Sequence, residues 1–328
     1  MREQNYRWLE EVLLKEGEVR PLWRFMLSAP LIVLAVMLAV MASAGIRPHP
    51  SWLGPNLGPL FWQELFLFPL LLFLFGMLTG VMDRKPLGSV GFAFHERWKQ
   101  ELAMGLGLGG GMMLLVAGLE HTLGWARFSP SGRALESVLT ASGFYIFFLI
   151  LAAANEELVF RGYAFQRLVD AIRPAGAVVA FSVLFGLGHL ENPSHTWIST
   201  VNTVLIGVVL AVAYLRTRAL WVSLGIHFAW NYVQGVVFGF PVSGLTIPHA
   251  WMAARVHGSA LLTGKSYGPE GSLLTTGVII AGLVYVSSSP RMKTTRTMQR
   301  LSLPAPRWGL DAENYDIFPE GPSDSKKE

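Results

Sequence analysis

The sequence contains no cysteine. That excludes a disulfide framework, a thiolate-ligated metal and a cysteine nucleophile. Charge is scarce too. Asp, Glu, Lys and Arg make up 15% of the 328 residues, hydrophobic residues make up 52%, and mean hydropathy is +0.42. A soluble domain carries roughly a quarter of its residues as charges, so a water-exposed globule is excluded. No G-x-S-x-G stands near a His/Asp pair, and there is no H-E-x-x-H, which removes two common hydrolase signatures. No lysine and Ser/Thr follow the glycine-rich GLGLGGGMM at 105–113. That stretch therefore reads as a close helix-packing surface in lipid rather than a phosphate loop.

What is present is apolar sequence of membrane-spanning length, repeated. Eight runs fall near 25–45, 60–82, 101–119, 136–158, 176–190, 198–215, 219–239 and 273–289. The fold class expected is all-α: a polytopic membrane protein of about eight transmembrane helices. The fourth run continues as a helix to about Asp170. Eight spans put both termini on one side. With the alternation assigned that way, only Arg47, Arg127, Arg133, Arg255 and Lys265 fall on the opposite side, and the other 21 of the 26 basic residues share the side of the termini. By the positive-inside rule both termini are cytoplasmic, in a multi-pass cell-membrane protein. The net charge of +4 then follows from topology, and no nucleic-acid partner is needed. The partners expected are the lipid bilayer and a membrane-associated substrate.

The chain divides accordingly. Residues 1–24 form a cytoplasmic arm in which Trp8, Leu9, Val12 and Leu13 stand at helical spacing, suited to the membrane surface. The arm is charged and the run after it is long, so the first span does not read as a secretory signal. Residues 25–135 hold the first helices, 136–240 a core, 241–289 a long outer loop with the last helix, and 290–328 a polar, poorly ordered cytoplasmic tail.

Ionisable groups inside spans cost about 2.5–3.5 kcal/mol each at a helix centre, so each calls for a reason. Those singled out are Glu156, Glu157, Arg161, His189 and His227, with Asn202 and Asn231 as neutral companions. Glu157 and Arg161 stand at i, i+4 and can pair. Glu156 is turned about 100° away and has no basic residue one turn on. His227 and Asn231 share a helix face. Glu156 lies 17 residues before Arg173 and His189 lies 16 after it, so an antiparallel hairpin brings the two to one depth. These residues predict a polar pocket opening toward the cytoplasm, with Asn202 at its margin. Taken singly, each has a plainer reading as an ion cluster or an interhelical hydrogen bond.

In order, Glu156-Glu157-x-x-x-Arg161, Phe185-x-x-x-His189 and His227-x-x-x-Asn231 resemble the motifs of the CAAX protease and bacteriocin-processing family of intramembrane proteases, which includes type II CAAX prenyl endopeptidases. The resemblance covers about 140–240. It implies hydrolysis of a peptide bond in a membrane-associated protein or peptide. Two chemistries fit it. In one, Glu156, His189 and His227 bind a divalent metal, most readily zinc, with a position left for water. In the other no metal is used. Glu156 and His189 activate water, and His227 and Asn231 stabilise the oxyanion. In either, Glu157 and Arg161 hold the helices in register. Readings from other classes are a non-catalytic immunity or scaffold protein and a proton-coupled transporter. No repeat symmetry favours transport.

The topology is tested by reporter fusions at Glu328 and within 240–272. They are expected to report opposite sides of the membrane, and a shared side would refute the span count.

Overall fold

The structure is a computed structural model, and it describes residues 12–15, 18–46 and 53–302. Trp8, Leu9, Arg47 and residues 303–328 lie outside the described residues. Beyond Leu13 the arm turns into a small hairpin, Leu14–Lys15 (β1) against Glu18–Val19 (β2). The long helices are α1 (Pro21–Ala44), α2 (Gly54–Met77), α3 (Trp98–Thr122) and α4 (Leu135–Arg161). Then come α5 (Tyr163–Ile172), α6 (Pro174–Leu187), α7 (Trp197–Thr217), α8 (Trp221–Asn231), α9 (Leu273–Ser288) and the short α10 (Arg296–Ser302). All eight apolar runs are therefore helical. Among the described residues five helices are long and apolar enough to cross a membrane: α1, α2 with its continuation to Asp83, α3, α4 with α5, and α7. Helices α6 and α9 are apolar but shorter. Helix α8 has 11 residues and is prolonged by a π-helical turn, Tyr232–Val237. Its residues from Trp221 to Ile226 are buried by neighbouring helices, so packing on protein replaces contact with lipid.

The burial pattern of α1 is the inverse of a soluble helix. It buries Ser28, Ala35, Ala39 and Ser43 and leaves Val33, Leu34, Met37 and Met41 exposed. Small residues let helices approach, and large apolar ones face outward where the surroundings are hydrocarbon. The fourth run does continue past Glu156, but the helix breaks at Gly162. There the main chain leaves helical geometry, and a Cβ would meet the Leu158 carbonyl oxygen at 2.2 Å.

Ion pairs and main-chain contacts gather the connecting segments at the two ends of the bundle. Buried Arg24 pairs with Asp83 and, at 3.0 Å, with Glu18, while Arg167 reaches Asp83 at 3.4 Å and Asp170 at 3.2 Å. Arg216 donates to the carbonyls of Ser287 and Ser289, each at 2.6 Å, and Arg97 to that of Arg291 at 2.9 Å. The arm, the turns after α2, α5 and α7, and the segment after α9 thus meet at one end. At the other, Ala126–Pro130 (β3) pairs antiparallel with Met252–Val256 (β4), setting Arg127 opposite Arg255. This ribbon is a local departure from the all-α expectation.

The tail also departs from expectation in its first part. Helix α10 buries Met298, and the Thr297 hydroxyl donates to Glu96 at 2.8 Å. Apolar burial and a cap-like hydrogen bond order a segment whose composition alone reads as loose. Burial alone would raise the Glu96 carboxyl, but hydrogen bonds from its own main chain and from Thr297 and Thr295 together hold it below the usual carboxylate range.

The glycine-rich stretch in α3 packs against α8. A Cβ on Gly105 would stand 2.3 Å from the Val222 carbonyl oxygen, and one on Gly109 2.2 Å from that of Ile226. Gly107 and Gly111 have nothing within 4 Å. Gly109→Ala is therefore expected to lower thermal stability in detergent, by about 1–3 kcal/mol as for other overpacked sites. Gly107→Ala is expected to leave the melting temperature unchanged. Equal effects of the two would refute the contact.

Candidate active site

The acids of α4 sit where the helix is enclosed on several sides. Glu157 and Arg161 are 0% and 1% exposed. Their spacing of four puts them on one face, and Arg161 Nη1 lies 3.3 Å from Glu157 Oε1. The guanidinium also donates to the Gly207 carbonyl of α7 at 3.2 Å and lies over the Phe185 ring of α6, 4.6 Å from its centre. The same Glu157 oxygen accepts a second bond, from His227 Nδ1 at 3.0 Å. The sequence-based pairing of Glu157 with Arg161 is present, and the grip on His227 is an addition that helix spacing does not show.

That grip decides which nitrogen of His227 is available. A carboxylate only accepts, so Nδ1 carries a proton. Nε2 then faces Glu156, 3.6 Å from its Oε2. Glu156 is the partly exposed acid of the pair, its side chain 33% accessible against 0% for Glu157. His189 follows the same logic. Its Nδ1 donates to the Phe185 carbonyl oxygen at 2.8 Å, which leaves Nε2 free. Its position just past the end of α6 comes from the run of turns at 188–194.

Glu156, His189, Asn202, His227 and Asn231 all line one cavity of about 470 Å³. Glu157 and Arg161 are absent from its wall and stand behind His227. Asn231, the last residue of α8, has no hydrogen-bond partner for its side-chain amide among the described residues. Asn202 serves the outer loop. Its Nδ2 donates to the Glu270 and Ser272 carbonyls at 2.7 and 2.9 Å, and its Oδ1 accepts from Thr276 at 2.7 Å.

Sequence reasoning missed three contributors to this wall. Glu64 of α2 is 7% exposed, and Asn155 bonds to it. Glu64 lies inside the 60–82 apolar run and carries the same signal as Glu156, an acid in lipid. Glu270, from the outer loop, accepts from the Ser243 main-chain N–H at 2.6 Å and hydroxyl at 3.0 Å. Burial pushes the Glu270 carboxyl above the usual range despite those bonds. No sequence signal points to it, because loops of this length carry acids routinely.

The donor types of Glu156, His189 and His227 suit zinc. Among the described residues, however, no three His, Cys, Asp or Glu side chains are gathered closely enough to hold a metal ion.

Residues 139–233 match the family model described as type II CAAX prenyl endopeptidase Rce1-like. That segment is similar to the CAAX protease family. The match takes in under a third of the chain, yet it runs from the first turns of α4 to just past α8. It therefore includes every site residue read from the sequence. No curated protein and no solved structure matches the chain. The matched segment supplies most of the polar side chains that line the cavity.

The Glu157 contacts give a direct test. Glu157→Ala leaves a buried Arg161 without its anion, and breaking one partner of a buried pair costs on the order of 3–5 kcal/mol. Glu157→Ala and Arg161→Ala are each expected to lower the melting temperature in detergent. The double variant is expected to lose less than the sum, by about 0.5–3 kcal/mol. Strict additivity would show that the two side chains do not interact.

Proposed function

We propose that this protein is an intramembrane endopeptidase of the glutamate type, acting on a membrane-associated protein or peptide. The observation that carries the proposal is the convergence of Glu156, His189, His227 and Asn231 on one cavity, with both imidazoles tied back through Nδ1. Peptide hydrolysis needs a water held beside the carbonyl carbon, a base to take its proton, and donors for the oxyanion. Glu156 is the acid with access to the cavity. It takes the proton from a water also held by His189 Nε2. His227, whose Nε2 faces Glu156, and the free amide of Asn231 supply hydrogen bonds to the oxygen that becomes negative. Glu157 fixes the His227 ring, and Arg161 offsets the Glu157 charge.

The charge asymmetry supports a topology of eight spans with both termini cytoplasmic. Helices α6, α8 and α9 then cross as short, largely protein-packed segments, and the cavity opens toward the cytoplasm. The family name alone does not carry the substrate: the cavity is built to cut a peptide bond, and the prenyl group is not read from it.

Glu156→Gln keeps the size and most hydrogen bonding but removes the proton acceptor. It is expected to abolish cleavage while the protein inserts and accumulates normally. Asn231→Ala removes one oxyanion donor and is expected to lower turnover about 100- to 1000-fold. Incubation with a chelator is expected to leave the wild type active. Loss of activity restored by zinc would replace the glutamate reading with a metal one. Full activity of Glu156→Gln would move the assignment to the scaffold or transporter reading.

A further inference from the structure

Glu64 is a buried acid on the wall of this cavity that the hydrolysis described above does not use. Its Oε2 and its own main-chain oxygen both accept from Asn155 Nδ2, each at 2.8 Å. Asn155 directly precedes Glu156, so this clamp pins α2 to α4 beside the base. Glu64 lines the same cavity as Glu156 and His227. Among the described residues no lysine or arginine lines the cavity.

The two acids have different partners. Glu156 has an imidazole at 3.6 Å, and Glu64 has a neutral amide. Two carboxyl groups sharing one cavity repel one another when both are ionised, and a proton between them relieves that repulsion. Only Glu156 has an imidazole beside it, so Glu64, held by a neutral amide, is the one placed to carry and give that proton. Environments that set two carboxyl groups apart in this way mark an acid and a base.

We propose that Glu64 is a second catalytic residue, the acid that protonates the departing amine. The proposal rests on the endopeptidase reading. Water oxygen bonds to the carbonyl carbon as Glu156 takes one of its protons, and the carbonyl π pair moves onto the oxygen facing His227 and Asn231. When that pair returns, the C–N bond breaks and its electrons go to nitrogen. The nitrogen takes the Glu64 proton and leaves as a neutral amine, and the acyl half leaves as a carboxylic acid. The proton on Glu156 then passes through a water to Glu64, which restores the starting state. Water and a peptide bond are the only reactants.

The test uses the full-length protein in detergent and a leucine- and alanine-rich membrane peptide of about 20 residues. The bond cut by the wild type is located by mass spectrometry, and a twin is made with a thioester in its place. An amine needs a proton to leave. A thiol ionises near pH 8.5 and leaves without one. Glu64→Gln retains a side chain that Asn155 can bond. It is expected to slow amide cleavage by about 100- to 10,000-fold, the range for general acid–base catalysis, and to change thioester cleavage less than about tenfold. Glu156→Gln, which removes the base, is expected to lose both. Equal loss on both substrates in Glu64→Gln would reduce Glu64 to a clamp and overturn the proposal, as would unchanged amide cleavage. If Glu64→Gln does not fold, Glu64→Asp is measured on the same pair and is expected to slow the amide selectively. A wild type that cuts neither substrate would overturn the endopeptidase reading itself, and Glu64 as an acid with it.

Discussion

One carboxylate, buried where water does not reach, organises the half of this protein that encloses the cavity. Glu157 Oε1 accepts from Arg161 within α4 and from His227 on α8. Through the Arg161 guanidinium it extends to the Gly207 carbonyl on α7 and the Phe185 ring on α6. Burying such an anion costs several kcal/mol unless donors surround it. The helices that supply those donors are thus held at fixed mutual positions. The same bond selects the tautomer of His227 and aims its other nitrogen at Glu156. The placement of a structural ion pair and the orientation of a cavity-lining imidazole share one carboxylate oxygen.

Much of this is legible in the residues. The i, i+4 spacing of Glu157 and Arg161 encodes their pairing, since helix geometry is local and fixed. Nearly equal separations of Glu156 and His189 from Arg173, 17 and 16 residues, agree with both lining one cavity. Lysine and arginine placement anticipates which loops meet, and Arg24, Asp83, Arg167 and Arg216 join the segments assigned to one side. What the spacing does not encode is contact between elements distant in the chain. The Nδ1 bond of His227 to Glu157 spans seventy residues and depends on how α8 is rotated about its axis. Glu270 enters by the folding of an irregular loop, which no periodicity describes. Glu64 is a different case: its residue type carried the signal, but its partner Asn155 comes from another helix. The β3–β4 ribbon is set by pairing between two loops that are apolar or polar without alternation, so nothing short of the fold reveals it.

The close approach of α3 and α8 works in the same direction as the Glu157 network. Backbone at Gly105 and Gly109 touches backbone at Val222 and Ile226, and His227 follows Ile226 directly. Helix α8 is held on one flank by main-chain packing and on the other by a buried charge. A side chain aimed from such a helix has little freedom, and preorganisation of that kind makes a hydrogen-bond donor effective toward a developing charge.

Helix α6 has a consequence for the cavity wall. Its 14 residues rise about 21 Å, less than the roughly 30 Å of a bilayer's hydrocarbon layer. A helix that short leaves the turns that follow it within the apolar layer, where their peptide groups are closed by bonds such as Gly188 N–H to the Leu184 carbonyl at 2.9 Å. At such depth, irregular main chain persists only where protein or a wet recess covers it. Gly188, His189 and Asn192 all line the cavity. The shortness of one helix thus carries its closing turns, tied by short-range bonds such as His189 N–H to the Gly186 carbonyl at 3.2 Å, into the wall of the cavity.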